Sequence, residues 1–178
     1  AMTAGAPTLT VRPAGGAAPS PSPEWLAAAR QARILSWISL AWMGLEGGIA
    51  IFAGVLAGSI ALIGFGIDSF IEGVASIVII WRFTGARMHS DAAEGRAQKL
   101  VAIQFFILAP YVAYEAVQHL LGGEAGVVSF LGMALTASSL IGMPLRGRAK
   151  QRVARRLGSQ ATHGEGTQNL LCAYLAAA

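Results

Sequence analysis

The stretch SIALIGFGIDSFIEGVASIVIIWRF, residues 59–83, decides the fold. It is longer than the roughly 20 apolar residues a helix needs to cross the hydrocarbon core of a bilayer. It nevertheless carries two acids, Asp68 and Glu72, four positions apart and so on one helix face. Upstream, a small uncharged turn at Ala57-Gly58 separates it from a second apolar window, 34–55; downstream come 100–121 and 127–145. A fifth apolar run begins near Thr167 and is still apolar at Ala178. Its 12 residues rise only about 18 Å as a helix, too little to cross. Continuous runs of this length fit helices, not barrel strands. The expected fold is all-α, a polytopic transmembrane helix bundle with four full spans and the start of a fifth.

Composition agrees. Hydrophobic residues make up 54% of the 178 and charged residues 12%, against about 25% charged in soluble domains. The single cysteine, Cys172, excludes an intrachain disulfide. Residues 1–22 are rich in Ala, Gly, Pro, Ser and Thr and hold five of the seven prolines together with Pro23. Such a segment buries too little apolar surface to offset its chain entropy, so a disordered tail is expected there, followed by a transmembrane domain over 23–178. Ser22-Pro23 reads as a helix start. A first residue other than Met and an end inside an apolar run suggest a piece of a longer chain.

The 13 Lys and Arg fall in three places. Arg12, Arg30 and Arg33 precede or open the first span; Arg82, Arg87, Arg96 and Lys99 lie between the second and third; Arg146, Arg148, Lys150, Arg152, Arg155 and Arg156 follow the fourth. The 1–2 turn and the 122–126 turn have none. Hairpin topology puts all three groups on one side, and the positive-inside rule makes that side the cytoplasm, with the N-terminus there too. The run 146–166 is expected as a basic cytoplasmic loop beside the lipid bilayer, not a nucleic-acid site.

The spans hold Glu46, Asp68, Glu72 and Glu115, with no Lys or Arg expected at comparable depth. An ionised carboxylate in mid-bilayer costs about 3 kcal/mol or more, so such groups are protonated, hydrated or paired with a cation, and are functional candidates. Asp68 and Glu72 together suit a divalent cation, or protons in exchange for it; the alternative is a pair of protonated acids that only order the bundle. Glu46, among Gly44, Gly47 and Gly48, reads equally as a buried hydrogen-bond partner, a proton relay or a secondary ion site. Glu115 shares a helix face with Tyr111 and His119, a metal, relay or structural cluster. Gly44-xxx-Gly48 and Gly54-xxx-Gly58 suggest close helix packing. His89, Asp91 and Glu94 read as a solvated connection. Gln168 and Cys172, again four apart, offer a weak oxygen donor and a soft sulfur ligand; alone, Cys172 reads as a small packing residue. There is no nucleophile–base pair, phosphate-binding Gly loop or HExxH motif, so an enzyme is not expected.

The run Gly58-Ser-Ile-Ala-Leu-Ile-Gly-Phe-Gly-Ile-Asp68-Ser-Phe-Ile-Glu72 resembles the second transmembrane helix of the cation diffusion facilitator (cation efflux) family. Glu165-xx-Gln168-xxx-Cys172-Ala173-Tyr174-Leu175 is similar to the fifth helix of its short branch, which lacks the cytoplasmic domain. Tyr114-Glu115-Ala116-Val117 and a helix end at Met143-Pro144 are similar to that branch too. The resemblance implies a six-helix homodimer, with the sixth helix missing from this chain. It implies export of a divalent metal against protons by alternating access. Asp68, Glu72, Gln168 and Cys172 would form the metal site, with Glu165 a common acidic position one turn earlier. Glu72 stands where Asp is usual, and Gln168 and Cys172 where His or Asp is usual. Zn2+ is the expected cargo, with Cd2+, Fe2+, Co2+, Ni2+ or Mn2+ open and no permanently bound cofactor. A proton-coupled carrier of organic cations and a non-transporting assembly or sensor protein are the other readings.

Overall fold

A computed structural model describes residues 21–122 and 130–177 of the chain. Among these the protein is all-helical: α1 (Pro23–Ala57), α2 (Ile60–Arg82), α3 (Asp91–Gly122), α4 (Phe130–Leu157) and α5 (Gln160–Ala177), with one short 3-10 turn at Gly85–His89. Three helices, the first three, are long and apolar enough to cross a membrane among the described residues. The tail expected over 1–22 lies outside the described residues except for its last two positions.

Local chemistry sets the helix ends. Ser22 caps α1, its side chain accepting from the Trp25 N–H, and Pro23 occupies the first turn, where its missing N–H costs nothing. At the other end Gly58 adopts φ 64° and returns its N–H to Gly54 and Val55 carbonyls. Only glycine enters that left-handed region without a Cβ penalty. Ser59 then caps α2 through the Leu62 N–H.

The same turn recurs 100 positions later. Gly158 has φ 65°, the Ser159 N–H reaches the Ala154 carbonyl as Ser59 reaches Gly54, and Ser159 caps α5 through Thr162. The two hairpins, α1–α2 and α4–α5, also share their crossing points. A Cβ on Gly66 would meet the Gly47 carbonyl at 2.8 Å and Ile51; a Cβ on Gly166 would meet the Gly147 carbonyl at 2.9 Å and Gln151. A Cβ on Gly47 would strike the Phe70 ring, and one on Gly147 would strike Leu170. Ser39 and Ser139, and Met43 and Met143, are buried at matching places.

Several sequence expectations change here. The connection after the fourth span is not the loop 146–166: α4 runs unbroken through Pro144 to Leu157, and α5 starts at Gln160 rather than Thr167. Arg, Lys, Gln and Ala are good helix formers, so a charged stretch continues a helix as readily as it forms a loop. Pro144 therefore lies inside a helix instead of at its end. The glycine patterns are shifted as well. Gly44 and Gly48 face open space and Gly58 makes the turn, while Gly47 and Gly54 carry the α1–α2 contact.

The side-chain distribution is inverted relative to a water-soluble bundle. Phe52, Val55, Leu56, Ile60, Phe106 and Leu121 are exposed, whereas Ser36, Ser39, Glu46, Glu72, Ser76, Lys150, Glu165, Gln168 and Asn169 are buried. Large contiguous apolar exposure calls for a covering phase, and lipid supplies one for helices of this length.

Candidate metal centre

Asp68 and Glu72 lie on consecutive turns of α2, and Cys172 on α5. One ligand atom from each lies within 4.8 Å of the other two, so a single ion can touch all three. Glu72 is 2% and Cys172 6% exposed. Neither Glu72 carboxylate oxygen has a hydrogen-bond partner among the described residues. A buried, unpartnered carboxylate is costly, which makes this position one that a cation would relieve.

Gln168 sits one turn before Cys172, is 1% exposed, and has both its amide nitrogen and its amide oxygen without partners among the described residues. Buried amides are normally satisfied. Its place follows from the hairpin equivalence: Gln168 corresponds to Asp68, and Cys172 to Glu72. The pairs come from matched positions of α5 and α2.

Glu46, from α1, is 2% exposed and accepts a hydrogen bond from the Ser139 hydroxyl of α4. Arg146, also on α4, stacks its guanidinium over the Trp42 ring at 5.3 Å and interacts electrostatically with Glu46 and Glu72. Its position corresponds to that of Glu46. The expectation of no cation at the depth of the acids is thus overturned. A continuous α4 turns part of the basic run inward, and one face of a helix can be buried while its neighbours remain outside.

Lys150 makes the same point more strongly. It is 0% exposed, and its Nζ donates to Glu165 Oε1 at 2.8 Å. Glu165 Oε2 accepts from the Ser36 hydroxyl at 2.9 Å. Lys150 lies past the apolar stretch of α4, where burial pulls its ammonium below the usual lysine value and Glu165 pulls it back. Glu165 is therefore neutralised within the bundle and is not a free accessory acid.

At the basic end, Glu94 does not belong to a solvated loop. Arg82 Nε donates to its Oε2 at 2.8 Å, and its Oε1 accepts from the Ser159 hydroxyl and the Ala161 N–H, closing the first turn of α5. The side chains of Glu115 and His119, expected as accessory groups, lie outside the described residues. The signal in the sequence that would have revealed Arg146 and Lys150 as inward-facing is the 100-residue repeat: Gly47 with Gly147, Gly58-Ser59 with Gly158-Ser159, and Gly66 with Gly166.

No protein-family model matches the chain, and neither the curated proteins nor the solved structures contain a match.

Proposed function

We propose that the chain is the helical membrane part of a divalent metal cation transporter that exchanges metal for protons. The observation that carries this reading is the convergence of Asp68, Glu72 and Cys172 within 4.8 Å across two helices. The likeness of residues 58–72 to the second helix of cation efflux proteins points the same way.

The donors support a divalent cargo: Lys150 and Glu165 already pair with each other, whereas Glu72 is buried with neither carboxylate oxygen hydrogen-bonded among the described residues. A cysteine binds zinc as thiolate, so metal binding at Cys172 would release its proton. Two carboxylates and the Cys172 sulfur, with the carbonyl of the buried Gln168 one turn before Cys172, would make a mixed shell suited to zinc or cadmium. Protonation of the carboxylates would release the ion, because a proton removes the charge that binds it.

The test is thermal unfolding of the chain in detergent with and without Zn2+. Zinc should raise the midpoint, as any ligand that binds only the native state does. The rise should vanish in the Asp68→Asn, Glu72→Gln double variant. Stabilisation by organic cations with none by any divalent metal would favour the proton-coupled drug carrier instead.

A further inference from the structure

We propose that the chain is an inverted duplication, and that its two hairpins exchange conformations about the site on the α2–α5 contact. This goes beyond the transport reading and does not depend on which ion the site takes. The state opposite to the present one would join Ser39 to Arg146 and part Glu46 from Ser139.

The duplication rests on contacts, not on composition. Gly58 and Gly158 both take left-handed φ, at 64° and 65°, and the residue after each returns its N–H to the carbonyl five positions back, Ser59 to Gly54 and Ser159 to Ala154. Each hairpin crosses at a Gly–Gly pair in which either glycine, given a Cβ, would strike the other's carbonyl. Buried positions also match across the 100-residue offset: 39 and 139, 43 and 143, 50 and 150, 69 and 169, 72 and 172.

The inversion follows from hydrogen bonds between α1 and α4. Trp25 Nε1, at the start of α1, donates to the Leu157 carbonyl at the end of α4. Arg156 donates to Gln31, and Ser139 to Glu46. Rising numbers in α1 meet falling numbers in α4, so the helices are antiparallel. Glu94 at the start of α3 meets Ser159 and Ala161 at the start of α5. The end of α2 precedes α3 by a short connection, so α2 and α5 are antiparallel as well. One hairpin is superposed on the other only by a half-turn about an axis crossing the helices. Inverted repeats of this kind place their substrate at the repeat interface and alternate by rocking one repeat against the other.

Equivalent positions are not equivalently bonded, and that asymmetry defines a state. Under the half-turn, Glu46 and Ser139 map onto Arg146 and Ser39. The first pair is bonded. In the second, the Ser39 hydroxyl and the Arg146 Nη2 are buried without partners among the described residues. Gln31 and Arg156, bonded at one end of the bundle, map onto Leu131 and Leu56 at the other. If each half can adopt the other's conformation, both mapped pairs close when the present ones open.

The test places spin labels on two pairs of exposed positions, Gln31→Cys with Arg156→Cys, and Leu56→Cys with Leu131→Cys. The chain carries Cys172→Ser, or Cys172→Ala as a second background, and sits in lipid vesicles. Distances are measured by pulsed electron resonance at acid and neutral pH without added metal. The expected result is one short and one long distance for each pair, the same two in both, with reciprocal populations: as one pair shortens the other lengthens. A fixed distance for either pair in both backgrounds, or both pairs moving together, would overturn the exchange. Loss of zinc stabilisation with reciprocal distances intact would instead strike only at the metal reading.

Discussion

Lys150 and Glu165 face each other across the α4–α5 hairpin at 2.8 Å, with side chains 0% and 1% exposed. The pair lies fifteen positions apart in sequence, on helices whose backbones touch at Gly147 and Gly166. It shows that the basic run of α4 is partly interior.

Removing one member of a buried pair leaves an uncompensated charge, a loss of about 3–5 kcal/mol. Lys150→Met should therefore lower the thermal midpoint sharply, because Glu165 would keep only the Ser36 hydrogen bond. The double variant Lys150→Met, Glu165→Leu should recover most of the loss. Equal midpoints for the single and double variants would show that the pair does not hold the hairpin.

The glycine crossings are intolerant of a methyl group. At Gly147 and Gly166 an added Cβ would come to 2.8 Å and 2.9 Å from backbone carbonyls, which cannot swing aside as a side chain can. Gly147→Ala and Gly166→Ala should each cost about 1–3 kcal/mol through forced separation of the helices. Gly44→Ala and Gly48→Ala, with nothing within 4 Å, serve as controls and should melt near the parent. Circular dichroism melts in detergent compare the four.

Cys172 should bias the site toward soft metals. Thiolate and thiol sulfur favour cadmium and zinc over manganese. Cys172→Ser ought to cut the thermal shift given by cadmium far more than that given by manganese. If both shifts fall together, Cys172 packs the site without touching the ion.

In the proposed site Gln168 would be the weakest donor. An imidazole there binds zinc better than an amide carbonyl does, so Gln168→His should tighten zinc binding by about tenfold or more, equivalent to about 1.4 kcal/mol. Isothermal titration of the purified chain measures this. Unchanged or weakened binding would place residue 168 outside the coordination shell.

The acids of α2 and their spacing were legible before any coordinates, because Asp68 and Glu72 lie on one helix and helical periodicity alone puts them on one face. Helix class was equally legible, since an apolar run as long as 59–83 fits a spanning helix and is too long for a barrel strand. The fate of 146–157 was not. Charge predicts exposure on average, and nothing local distinguishes Lys150, which is buried, from Arg148 or Arg152, which are exposed. The difference lies in which face α4 turns toward α1 and α5. Likewise Cys172 and Asp68 stand more than a hundred positions apart in the sequence, and only the α2–α5 packing brings their ligand atoms within 4.8 Å of each other. Periodicity constrains each helix about its own axis. The rotation and tilt of one helix against another come from contacts between them, here glycine carbonyls at van der Waals distance, and those contacts exist only once the helices have met.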